Sequence, residues 1–188
     1  MDCFELLALP KKADLSENEI HLAYAAKSKA AHPDHGGSEE HAAEINAAYE
    51  TLRASEKRLK HLIEIAAPDD VKAWRSVPLD EAMMSLFAVL GNALQASEKF
   101  LQRKSAAQSA LAKALLTNEE MRHRETLERI GFEIETRRSE METKLPEMDA
   151  AMQSNDANAW RQIAAMQAKF AYLAKWRTQI RERLLALM

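Results

Sequence analysis

Side chains able to do chemistry are sparse in this sequence and crowd into one stretch: His32, Asp34 and His35, with His41 close behind, set among Pro33, Gly36 and Gly37. Imidazoles and a carboxylate at this spacing can hold a cation, move a proton or serve as recognition groups. A metal site needs partners that orient each imidazole, and none can be named from the sequence, so these residues read as solvated loop groups. Catalysis fares no better. No nucleophile, base and orienting group can be assembled from the lone Cys3 and the loop histidines, so an enzyme is not expected. The single cysteine also excludes an internal disulfide or a thiolate cage and suits a reducing compartment. With Gly36, Gly37, Gly91 and Gly131 as the only glycines, no GxGxxG or GxxxxGK phosphate loop exists. No metal and no cofactor are expected.

The elements that must position this stretch are helices. Among 188 residues there are only 4 Gly and 5 Pro, and valine occurs only at 71, 77 and 89. Strands and tight turns lack their usual residues, and an all-α protein follows. A short helix precedes Leu9-Pro10. Ser16 with Glu19 forms a capping box that starts a helix near Glu17, carrying Ile20, Ala23 and Tyr24 and stopping before Pro33. Helical spacing resumes near Glu39 and carries Ile45, Ala48, Tyr49, Leu52 and Leu59 to Ile63 on one apolar face. His32-Pro33-Asp34 thus lies in a loop between two helices.

Residues 68–78, with Pro68, Asp69, Asp70 and Pro78, read as a linker that Trp74 packs into. Residues 79–188 then give three long helical patterns. The first runs from about Leu79 to Leu116 with Met83, Leu86, Phe87, Leu90, Leu94, Leu101, Leu111 and Leu115, with a break possible near Ser97 or Ser105. A second opens at Thr117 with Glu120 as its box and is kinked by Pro146. The third, from Asn155 or Asp156, repeats nearly as heptads through Ile163, Met166, Phe170, Leu173, Arg177, Ile180, Leu184 and Leu187. A coiled-coil-like bundle is expected, with Arg177 as a register device or interhelical ion pair.

Residues 1–67 hold 8 Lys/Arg against 12 Asp/Glu, and residues 68–188 hold 18 against 17. Neither balance is basic enough for sequence-independent nucleic-acid binding. No apolar run approaches the ~20 residues of a membrane span, and Asp2 and Glu5 sit where a signal peptide would carry positive charge. A cytoplasmic protein that meets neither nucleic acid nor membrane is expected.

The context of the tripeptide is specific: FxLLxLP at Phe4 to Pro10, a helix, AHPDHGG, EINxAYETL at Glu44 to Leu52 and EKR at Glu56 to Arg58. This pattern resembles the J-domain of DnaJ-type co-chaperones. The likeness is greatest to the HscB-type co-chaperones of iron-sulfur cluster assembly, through Met1, Asp2, Phe4, Leu6, Leu9 and Pro10, and through Ile45, Asn46, Ala48, Tyr49, Thr51, Leu52, Arg53, Arg58 and Leu62. The resemblance implies an N-terminal J-domain over 1–67 and a C-terminal helical domain over 79–188 that binds a client or mediates oligomerisation. It also implies that His32, Pro33 and Asp34, with Lys29, dock on a DnaK/HscA-type chaperone and stimulate its ATPase. Where ordinary J-domains carry Arg or Lys, this sequence has Ala25, Ala26 and Ala30. The client implied is an iron-sulfur scaffold protein. Met83, Met84 and Phe87 stand nearest to the surface that would hold it, although an apolar group of this kind also suits a core. The alternative is a degenerate J-like interaction protein whose C-terminal helices self-associate.

Overall fold

The computed structural model describes residues 1–31, 38–72, 79–152 and 157–188. The described residues form α1 (Cys3–Leu6), α2 (Glu17–Ala31), α3 (Glu39–Leu52), α4 (Ser55–Ala66), α5 (Asp69–Lys72), α6 (Glu81–Ala106), α7 (Ala110–Glu142), α8 (Leu145–Met152) and α9 (Ala157–Ala186). Among them there is no strand, so the protein is all-α. Two compact units emerge. One comprises residues 1–77 and 141–171, the other residues 78–140 and 172–188.

In the first unit the expected local signals govern the helix starts. Ser16 Oγ accepts the Glu19 amide at 3.2 Å and the Glu19 carboxylate accepts the Ser16 amide at 2.9 Å, the reciprocal box that opens α2. Asp2 Oδ1 accepts the Phe4 and Glu5 amides and opens α1. That helix closes as a Schellman motif: the Leu9 amide reaches the Phe4 carbonyl at 2.8 Å and the Ala8 amide reaches Glu5 at 3.0 Å, with Ala8 at φ 54°. The core gathers Phe4, Leu7, Ile20, Ile45, Ala48, Leu52, Leu59 and Leu62 with Trp160, Ile163 and Phe170 from α9. Each Leu, Ile or Phe among them contributes about 1.5–3 kcal/mol by leaving water.

The single apolar helix read from Glu39 onwards is two. Ala54 turns extended between α3 and α4, and the buried Arg58 donates from Nη1 to the Leu52 carbonyl at 2.7 Å, closing α3. A polar fork thus satisfies a helix end that the apolar spacing runs straight through.

In the second unit the boundary expected at Thr117 is displaced. α6 ends at Ala106, and Ser109 Oγ accepts the Ala112 amide at 3.1 Å to start α7. Thr117 therefore lies inside α7, and Glu120 pairs with Lys104 Nζ at 2.6 Å. Leu111 and Leu115, placed in the apolar stripe of the sequence, are 71% and 74% exposed. α6 and α7 run antiparallel, joined by the Arg103–Glu119 pair and by Phe100 against His123. The C-terminal half of α9 packs on both through Phe87–Trp176, Arg183–Glu98 and Arg177 Nη1 to Glu135 Oε1 at 3.0 Å. Arg177 is the interhelical ion pair its heptad position suggests. Pro146 does not kink a continuous helix; α7 stops at Glu142, and Pro146 sits in the first turn of α8, where a missing amide costs nothing.

Candidate functional site

Residues 32–37, with the expected chaperone-docking groups His32, Pro33 and Asp34 and with His35, lie outside the described residues, as do Trp74 and the rest of 73–78. The arms that carry the tripeptide are described. α2 and α3 pack against each other along Ile20, Ile45 and Ala48, with the Tyr24 and Tyr49 rings stacked at 4.3 Å and the Tyr24 hydroxyl donating to Asn46 Oδ1 at 2.8 Å. α2 ends at the buried Ala31. α3 begins behind Ser38, whose Oγ accepts the His41 amide at 3.2 Å. α2 and α3 are therefore packed arms that lie on either side of the tripeptide in the sequence.

The electrostatics of α2 are thin. Lys29 is exposed in its last turn, Lys27 is half-buried, and Ala25, Ala26 and Ala30 lie exposed where further cations could have stood. Leu22 is exposed on the same helix. Near the start of the chain, Asp2 carries opposing influences. Burial works to raise its pKa, but the hydrogen bond from Lys11 and those from the Glu5 and Phe4 amides outweigh it and hold the carboxyl below its ordinary range. Hydrogen bonds from Ser16 likewise depress Glu19. Burial pushes the Cys3 thiol up, so it is not a poised nucleophile. Among the described residues no cluster of three His, Cys, Asp or Glu could hold a metal. His41 Nδ1 faces Glu44 Oε2 at 3.4 Å.

The loop between α1 and α2 is held from two sides. Arg58 Nε donates to the Ala13 carbonyl at 2.9 Å, and the Asp149 carboxylate of α8 accepts the Ala13 amide at 2.6 Å and the Asp14 amide at 2.9 Å. Arg58 belongs to the sequence pattern near Leu62. Asp149 had no such signal, because its partners lie 135 and 136 positions away.

The three residues expected to meet a client part company. Met83 is 1% exposed and belongs to the core of the second unit, whereas Met84 and Phe87 are each 52% exposed. The Asp80 carboxylate caps α6 through the Met83 amide at 2.9 Å and fixes this register. Phe87 turns one face to Trp176 at 5.9 Å, and Trp176 in turn meets Tyr172 at the same separation.

The family profile of the DnaJ domain matches residues 2–61. Residues 2–61 are a DnaJ domain. Over 60 residues the chain is 43% identical to the tetratricopeptide repeat and J domain-containing co-chaperone DNJ1 of Cryptococcus neoformans var. grubii, a match that takes in 32% of this chain and 11% of that protein. The chain is also similar in fold to the chaperone HscB from Vibrio cholerae: 20% identity, a TM-score of 0.56, 97% of this chain and 96% of the other covered. The helices beyond the DnaJ domain therefore follow an HscB-like fold. Among the described residues no helix is long and apolar enough to cross a membrane.

Proposed function

We propose that this protein is a co-chaperone that activates the ATPase of a DnaK/HscA-type partner and delivers a client to it, with no reaction of its own. The observation that carries this reading is the DnaJ domain at residues 2–61 with His32-Pro33-Asp34 between its two packed arms. Proline restricts the backbone of a short connection and holds two polar side chains for recognition. In this reading His32, Pro33 and Asp34 enter the partner and Lys29 adds one charge contact. The client binds the second unit at Met84 and Phe87, whose exposed apolar surface supports an adaptable contact. The sequence resemblance to HscB-type co-chaperones, together with the HscB-like fold, suggests an iron-sulfur scaffold protein as that client.

The test adds the chain to a DnaK-type ATPase and, separately, to an iron-sulfur scaffold protein. Met84→Asp and Phe87→Asp are expected to weaken scaffold binding and leave ATPase stimulation intact. A wild-type chain that binds no scaffold removes the client assignment. One observation favours a second reading, a J-like interaction protein that has lost chaperone activation: the exposed alanines 25, 26 and 30 leave α2 with little positive surface. Absence of stimulation together with self-association through the C-terminal helices would select it.

A further inference from the structure

The sequence division into a DnaJ domain and later helices assigns Asp149 no part in the first, yet its carboxylate holds two consecutive amides of the α1–α2 loop. Ala13 is 0% exposed and its carbonyl goes to the buried Arg58, while the neighbouring Asp14 lies at the surface. A buried residue such as Ala13 needs partners for both its backbone donor and its acceptor, and charged partners give the stronger bonds. Within the DnaJ domain Arg58 supplies only the acceptor's partner. The donors are satisfied from α8. Asp14 is followed by the buried Leu15 and by Ser16, which opens the capping box of α2, so the grip on Ala13 and Asp14 sets where α2 starts. A second brace comes from the same part of the chain: Gln167 Nε2 of α9 donates to the Glu56 carbonyl of α4 at 3.2 Å, and Ser55 Oγ donates to Glu142 Oε1 at 2.8 Å.

We propose that Asp149 is a positioning residue of the DnaJ domain, which borrows residues 141–171 as a built-in support that fixes the α1–α2 loop and the start of the docking helix α2. Its effect on docking rests on the co-chaperone reading; its effect on the loop does not. The experiment compares the full-length chain with Asp149→Ala and Asp149→Asn by amide hydrogen exchange and by titration of a DnaK-type ATPase. Exchange at Ala13 and Asp14 is expected to quicken about tenfold or more in the alanine variant, the loss expected for hydrogen bonds to a charged acceptor. The asparagine variant, which keeps one carbonyl oxygen, falls between. In the ATPase titration the concentration for half-maximal stimulation rises in the same order while the maximum is retained, because His32 and Asp34 are untouched. A merely destabilised chain would lose maximal stimulation in proportion to its unfolded fraction. Unchanged exchange in both variants overturns the clamp, whatever the ATPase does. Faster exchange with an unchanged half-maximal concentration overturns the link to docking. A wild type that stimulates nothing overturns the co-chaperone reading and that link together, and the exchange comparison still decides the clamp. If Asp149→Ala fails to fold, Asp149→Asn carries both comparisons.

Discussion

Asp2 caps α1 through Oδ1 and holds Lys11 Nζ through Oδ2 at 2.7 Å, so one carboxylate serves as both helix cap and loop tie. The tie to Lys11 needs the charge, and the charge strengthens the cap. A group whose folded pKa is depressed lends stability that is present above its ordinary pKa and lost as pH falls through the folded value. For Asp2 the ordinary value is 3.8 and for Glu19 it is 4.5, so the stability they supply fades as pH drops below about 4. Asp2→Asn and Glu19→Gln are expected to flatten the acid limb of Tm against pH between neutrality and pH 3, leaving its neutral end lower. Profiles parallel to wild type would show that neither charge matters. At this scale legibility depended on distance along the chain. The Ser16–Glu19 box closes within one turn and can be read from four letters. Asp149 completes a bond across 136 positions and left no local trace. Met83 and Met84 are adjacent and chemically identical, and only the capped register of α6 decides that one is core and the other surface.

At the scale of elements, the turn after α1 carries a cost. Ala8 is exposed and sits at φ 54°, the left-handed position of a Schellman motif where a Cβ is disfavoured and glycine is the usual occupant. Ala8→Gly is expected to stabilise the chain by about 0.5–1 kcal/mol, read as a higher denaturation midpoint at unchanged m-value. A lower midpoint would contradict that geometry. α2 gives a second element-level expectation. With Lys29 as its exposed cation, docking through this face, as proposed above, would include few charge contacts, each worth about 0–1 kcal/mol and reduced by salt. Affinity for a DnaK-type partner should fall less than about fivefold between low and high salt. A steep loss would mean that charge dominates the interface after all. The existence of α2, α3 and α6 was legible from apolar spacing. Their ends were less so, because the break at Arg53–Ala54 is stabilised by the Arg58 fork and the start of α7 by Ser109, and neither interrupts the apolar pattern.

For the whole molecule, the all-α class followed from the scarcity of glycine, proline and valine, and the DnaJ domain from the tripeptide in its flanking pattern. The make-up of the first unit did not. Residues 141–171 join it through side chains such as Asp149, Gln167 and Trp160, and composition shifts near Pro68 and Pro78 cannot reveal a long-range return of the chain. The second unit separates core from surface sharply enough to test. Met83→Asp places an unpaired charge in a buried site and should cost about 4 kcal/mol or more, enough to unfold that unit, while Met84→Asp should leave its thermal melt nearly unchanged. Equal effects would put both residues in one environment.

In the proposed function the DnaJ domain activates a partner through the tripeptide between its arms. Single-turnover ATP hydrolysis by a DnaK-type chaperone, with wild type and His32→Gln matched by circular dichroism, tests it most directly. Wild type should accelerate hydrolysis and His32→Gln should abolish the acceleration with the fold intact, since a single polar substitution outside a packed core usually changes stability little. Acceleration that survives the substitution, or a wild type that gives none, would show that the tripeptide does not activate a DnaK-type partner.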